Sequence, residues 1–158
     1  FQKKLKPGDE VLINEAEHAS NVLPWLVLQE KIGIVVKFVP LDSNHELTVS
    51  NIGKSITSKT KVISCAHISN VVGDIRDVEE IGRICQKNNI YFVIDAAQSA
   101  SHIPIDVQKF NASFLAFSAH KMMGPTGVGV LYGKKELLDE MDPLKYGGGM
   151  NILTRIIM

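Results

Sequence analysis

The amino-acid sequence predicts an α/β fold, with a parallel sheet covered by helices on both faces. Short, continuously apolar runs such as IVVKFVP and YFVIDAA read as strands with no solvent face. Helical patterns separate these runs, which implies crossover connections and a layered architecture. The length of 158 residues suits one domain, one that buries roughly 70% of its unfolded-chain surface.

In chain order, EVLINEA (10–16) reads as a strand following the turn Lys6-Pro7-Gly8-Asp9. SNVLPWLVLQEKI (20–32) reads as a helix, with Pro24 placed in its first turn, where a missing N–H does little harm, and Gly33 as its stop. IVVKFVP (34–40) is a β-branched strand, 48–57 a short helix, and KVISCAHIS (61–69) a strand. Asp77 followed by Glu80 suggests a capping box, and Val78, Ile81, Ile84 and Cys85 recur at helical spacing, so 77–88 is a helix. YFVIDAA (91–97), SFLAFSA (113–119) and VGVLYG (128–133) are three further strands, and KKELLDEM (134–141) is a helix.

Composition narrows the function. Lysine plus arginine equals aspartate plus glutamate at 17 each, so no general electrostatic case exists for nucleic acid or an anionic membrane. No apolar run approaches the length of a membrane span, and FQKKLKPGDE does not resemble a secretory signal. Cys65 and Cys85 sit inside apolar patterns and read as buried thiols, which suits a reducing compartment. No CxxC or His/Cys metal spacing occurs, and no metal site is expected. The opening Phe1 and the apolar, basic close NILTRIIM suggest a chain cut from something longer.

In a parallel α/β sheet, ligands bind beyond the carboxyl ends of the strands. The polar residues there are Glu17 and His18 after the first strand, Asn70 after the third, Asp95 and Gln98 after 91–94, and Ser118, His120 and Lys121 after 113–117. Singly, each has an ordinary structural reading: Asp95 or Ser118 as a cap, Asn70 as a turn residue, His18 as a satisfied histidine, Lys121 as a solvated lysine. His45, His67 and His102 keep that reading. The convergence of the others on one edge favours chemistry. A lysine there can hold phosphate as a point charge or form a Schiff base with a carbonyl. The cofactor that asks for a lysine, an aspartate and a phosphate cup together is pyridoxal phosphate (PLP): the lysine bonds it and the aspartate pairs with its pyridine nitrogen. No GxGxxG or GxxxxGK[ST] pattern supports a dinucleotide or P-loop reading.

Four ordered motifs carry a resemblance: EAEHASNVLPW, HISNVVGDI, VIDAAQS and FSAHKMMGPTGVGVLYG. Together they resemble the PLP-dependent cysteine desulfurases of the class V aminotransferase family, and most of all the SUF-type branch that includes selenocysteine lyase-like enzymes. The resemblance implies the large domain of PLP-dependent transferase fold type I, its sheet mainly parallel because the strand after Gly127 returns antiparallel. Residues 1–158 would be the central part of that domain, without the N-terminal segment and the C-terminal small domain. Lys121 would carry PLP and move protons, Asp95 would pair with the pyridine nitrogen, and Gln98 would contact the phenolic oxygen. His18 would stack on the ring with a part in acid–base steps, Ser118 and His120 would contact the phosphate, and Asn70 would sit beside the substrate carboxylate.

The activity so implied converts L-cysteine to L-alanine, leaving sulfur as a persulfide on an enzyme cysteine for iron–sulfur cluster assembly. Neither Cys65 nor Cys85 matches that catalytic cysteine, so this chain alone is expected to be inactive. The implied partners are a SUF-pathway sulfur acceptor and a second copy in a homodimer, with no nucleic acid or membrane. The implied location is the cytoplasm, or an organelle matrix after removal of a transit peptide. The alternative is a selenocysteine lyase, or another class V lyase or aminotransferase. Departures from the family pattern are Ala119 for a usual glycine, Asp74 for a frequent threonine, and an imperfect glycine-rich segment GGGMNI.

Overall fold

The computed structural model describes residues 1 and 3–142; the GGGMNI segment lies outside the described residues. Six strands form one sheet: β1 (Glu10–Asn14), β2 (Val35–Val39), β3 (Thr60–Ala66), β4 (Tyr91–Asp95), β5 (Phe114–Ser118) and β6 (Gly129–Gly133). Their order is β2-β1-β3-β4-β5-β6. Strands β1 to β5 are mutually parallel, and β6 alone runs antiparallel, against β5. The architecture is the mainly parallel α/β sheet of the sequence reading. The reversal at β6 agrees with the resemblance; apolar periodicity is blind to strand direction.

Strand alternation divides the core in two. Val11 and Ile13 of β1 and Val62 of β3 point to one face, where α1 (Ala19–Ile32) covers them with Trp25. Leu12, Ile63, Phe92 and Ile94 point to the other, beneath α2 (Val49–Ser55) and α3 (Val78–Lys87). Phe1 closes the α1 side, its ring centroid 5.3 to 5.5 Å from those of Trp25, Tyr91 and Phe114. A fourth helix, α4 (Lys135–Asp139), follows β6. No helix among the described residues is long and apolar enough to cross a membrane.

Most elements lie where the pattern predicts, but the strands end earlier. Beyond Asn14 the chain turns, because the Asn14 side chain accepts the Ala16 N–H at 3.0 Å. Beyond Asp95 its carboxylate accepts the Ala97 N–H at 2.8 Å and begins another turn. The strand expected to reach residue 69 ends at Ala66, with only an isolated bridge between Ile68 and Ile75. Helix α1 corrects the placement of Pro24. Because His18 caps the helix, Pro24 falls in its second turn and offers no N–H to the Ser20 carbonyl. Gly33 ends α1 in the left-handed region at φ 73°, as expected. The capping box at α3 is half formed: Asp77 accepts from the Glu80 N–H at 2.9 Å, while the Glu80 side chain turns to Arg83. Both cysteines are free and buried.

Candidate functional site

The chain runs from β1 outward to β2, then returns across β1 to β3, so the β1/β3 boundary is a topological switch point. Such points leave a crevice at the carboxyl ends of the strands. A cavity of about 420 Å³ opens there and extends over β4 and β5. Its size falls within the roughly 300–1,000 Å³ of small-molecule sites. Seven of the eight strand-end polar residues named from the sequence line it, His18 after β1, Asn70 after β3, Asp95 and Gln98 at β4, and Ser118, His120 and Lys121 at β5; the eighth, Glu17, does not.

Each is placed by local structure. His18 is the N-cap of α1: its Nδ1 accepts the Ser20 N–H at 3.2 Å and lies 2.6 Å from the Ser20 hydroxyl. A capping role and a cavity role thus coexist in one ring, and Nε2 makes no hydrogen bond among the described residues. Asp95 divides its oxygens the same way. Oδ1 holds the turn at Ala97, and Oδ2 has no protein partner among the described residues. Ser118 occupies the N-cap position of the 3₁₀ turn Ala119–Met122, yet its hydroxyl makes no capping bond. Lys121 sits in that turn, half-buried, and forms no ion pair among the described residues. The turn is closed at both ends: the Ala119 N–H donates to the Val128 carbonyl and the Gly124 N–H to the Ala119 carbonyl, each at 2.9 Å.

The chemistry left over is an amine, a carboxylate oxygen, a hydroxyl, imidazole and amide groups, all at one small cavity. The set fits PLP. It provides a nucleophile for an aldehyde, an acceptor for a protonated ring nitrogen, and donors for a phosphate. The three remaining histidines are structural. His67 is 4% exposed and packs edge-on against Phe110, and burial lowers its pKa. His102 bonds to the Gln98 carbonyl at 2.6 Å, and His45 occupies a turn at φ 62°. The two thiols are free and buried. Burial pushes Cys65 well up, with the Glu17 charge adding to it, and burial pushes Cys85 up to about 12.

The sequence reading missed the polar layer beneath the cavity. Glu17 and Arg76 form an ion pair with both side chains fully buried. Glu17 also accepts from Asn21 Nδ2 at 2.7 Å and from the Ala66 N–H at 2.9 Å, and it accepts a hydrogen bond from Asn14 Nδ2. Asn21 in turn accepts from the Ser64 hydroxyl at 2.7 Å. Burial, the largest single influence, works against the guanidinium charge, but the neighbouring groups together, Glu17 first and Asp74 among them, outweigh it and hold the Arg76 pKa above its ordinary value. Glu17 was visible as a strand-end carboxylate. Arg76 gave no local signal, since its partner lies 59 residues away.

Comparison with known proteins follows the geometry. The chain is 43% identical over 146 residues to a protein named probable cysteine desulfurase from Halalkalibacterium halodurans, covering 92% of this chain and 36% of that protein. A Staphylococcus aureus protein of the same name is 44% identical over 146 residues, at 92% and 35% coverage. The chain therefore spans little more than a third of the length of these curated relatives. Among solved structures, a cysteine desulfurase from Escherichia coli superposes with a TM-score of 0.89 at 38% identity, covering 94% of this chain and 37% of that one. The apo cysteine desulfurase of Thermococcus onnurineus NA1 gives 0.87 at 42% identity, with 94% and 37% coverage. Sheet order, cavity and motifs agree with a single family assignment. Residues 1–156 match the family described as aminotransferase class-V, whose members depend on PLP, and this chain belongs to that family.

Proposed function

We propose that residues 1–158 are the cofactor-holding central part of the large domain of a PLP-dependent cysteine desulfurase. One observation carries this reading: four strand ends bring Lys121, Asp95, Gln98, His18, Asn70, Ser118 and His120 to one cavity, with Lys121 free of any ion pair among the described residues. The names of the relatives support the reaction class.

When bound, PLP supplies an electron sink that weakens bonds at the substrate's α-carbon. The side chains divide the remaining work. Lys121 Nζ is the amine that would hold the cofactor, and it would carry protons to and from substrate carbon. Asp95 Oδ2 accepts the hydrogen on the pyridine nitrogen and keeps the ring protonated. The Gln98 amide donates to the phenolic oxygen. The Ser118 hydroxyl and the His120 imidazole donate to the phosphate. His18 covers the ring and offers Nε2 for proton transfer, and the Asn70 amide orients the substrate carboxylate.

The substrate in this reading is L-cysteine, and the products are L-alanine and a persulfide on an enzyme cysteine. Neither Cys65 nor Cys85, both buried, matches that cysteine in the family's pattern. This chain by itself should therefore make no sustained alanine from cysteine. A SUF-type sulfur acceptor and a homodimer belong to the same proposal, through the motifs that resemble that branch. A cytosolic or organelle-matrix location suits two free thiols.

The test is incubation with PLP, borohydride reduction and peptide mass mapping. One pyridoxyl adduct on Lys121 is the expected result. Absence of that adduct, or equal labelling of surface lysines, would overturn the assignment.

A further inference from the structure

We infer that Glu17 and Arg76 are positioning residues for the cavity, a buried clamp that fixes where His18, Asn21 and Asn70 stand. The inference rests on the PLP reading for its ligand but on geometry for its substance. The β1/β3 ladder ends at Leu12 and Ile63, and no strand pairing among the described residues joins the segment beyond β1 to the one beyond β3. The Glu17–Arg76 pair does so instead.

Glu17 precedes His18 directly, so fixing its carboxylate fixes the residue that caps α1 and lines the cavity. Its Oε2 takes Asn21 Nδ2 at 2.7 Å and the Ala66 N–H at 2.9 Å, which joins α1 to the end of β3. Arg76 forms the other jaw. Its Nη1 reaches Glu17 and the Ala66 carbonyl at 3.2 Å, and its Nη2 reaches Asn14 Oδ1 at 3.4 Å. Its Nε lies 3.4 Å from Asp74 Oδ2. The loop bearing Asn70 is rooted at the same point, through the Arg76 N–H on the His67 carbonyl at 2.9 Å and the Ser69 N–H on the Asp74 carbonyl at 3.1 Å. The guanidinium fork therefore ties the ends of β1 and β3 together, and through Asp74 it touches the loop that the main chain roots beside it.

Stability alone is a poor reason for this arrangement. A buried ion pair loses much of its attraction to desolvation, and an apolar pair of similar volume is often as stable or more so. A planar fork, however, fixes several acceptors at defined angles, which neither an apolar side chain nor a lysine can do.

The test is Arg76→Lys in this chain. Lysine keeps the charge opposite Glu17 and removes the fork. Positioning predicts a urea midpoint near wild type, a Kd for PLP raised about tenfold or more, and an altered absorption band of the bound cofactor. It also predicts NMR shift changes at His18 and Asn70 without ligand, larger than those at Tyr132 on the far strand. If Arg76→Lys does not fold, the doubly substituted Glu17→Gln/Arg76→Met chain, which leaves no buried charge at the pair, is measured in the same way. Unchanged shifts at His18 and Asn70 in a folded variant would overturn the proposal. Should the wild-type chain itself fail to take up PLP, the cofactor reading falls and the NMR comparison alone decides the clamp.

Discussion

Asp95 shows how a single side chain serves fold and chemistry together. Oδ1 ends β4 by holding the Ala97 N–H, and Oδ2 stays available to the cavity. Asp95→Ala should weaken PLP binding by about 1.5–3 kcal/mol, a charge-assisted hydrogen bond, or roughly 10- to 100-fold in Kd. Titration of the cofactor absorbance measures it, and an unchanged Kd would remove Asp95 from the site. Gly124 is a different kind of residue. A Cβ there would stand 2.8 Å from the Ala119 Cβ and 3.0 Å from the Ala119 carbonyl oxygen. Gly124→Ala should destabilise the turn by about 1–3 kcal/mol and lower PLP uptake with it. At this scale the seven cavity residues were legible because polar groups at strand ends stand out against apolar runs. Ser20 and Asn21 were not, since a serine and an asparagine at the start of a helix are what any helix start displays.

Among the elements, α3 gives the clearest contrast between a weak contact and a strong one. Asp77 caps it through one hydrogen bond, and Asp77→Ala should cost about 1 kcal/mol. Gly82 lies on its buried side, where an added Cβ would come within 1.9 Å of the Phe110 carbonyl oxygen. That neighbour is backbone and cannot swing away, so Gly82→Ala should cost about 3 kcal/mol or more. Urea unfolding of both variants, with slopes held equal to wild type, checks the order. If Gly82→Ala were the milder change, the close packing of α3 on the 106–112 segment would be wrong. The helix itself was readable from its spacing and its cap, whereas this glycine contact was not, because Phe110 is remote in sequence. Pro24 shows the reverse error. A proline near a helix start suggests the first turn, but a histidine cap two residues further back moved it inward.

For the whole molecule, stability should peak between two limbs of pH. Burial lowers the His67 pKa from 6.5, so below about 6.5 the unfolded chain takes a proton that the folded ring refuses, and stability falls as pH falls. Cys85 works the other way. Its pKa rises from 9.0 to about 12, so the folded chain keeps a proton that the unfolded chain releases, and stability falls as pH climbs above about 9. Each fully shifted group contributes a slope of about 1.4 kcal/mol per pH unit. Urea midpoints across this range should therefore show a plateau between the limbs. Cys85→Ala should lower the slope of the alkaline limb without abolishing it, because the Cys65 thiol is pushed up as well, and an alkaline limb of undiminished slope would rule Cys85 out as a source. The two-faced core that buries these groups was predictable from apolar runs. The way its faces share one ligand edge was not, since strand order is set by long-range pairing that no local pattern encodes. The closed turn around Lys121 has a last consequence. With its main chain fastened at Ala119 and Gly124, the lysine is a flexible arm on a fixed pivot. In the role proposed for its amine, only four methylenes would need to swing while the turn beneath them holds.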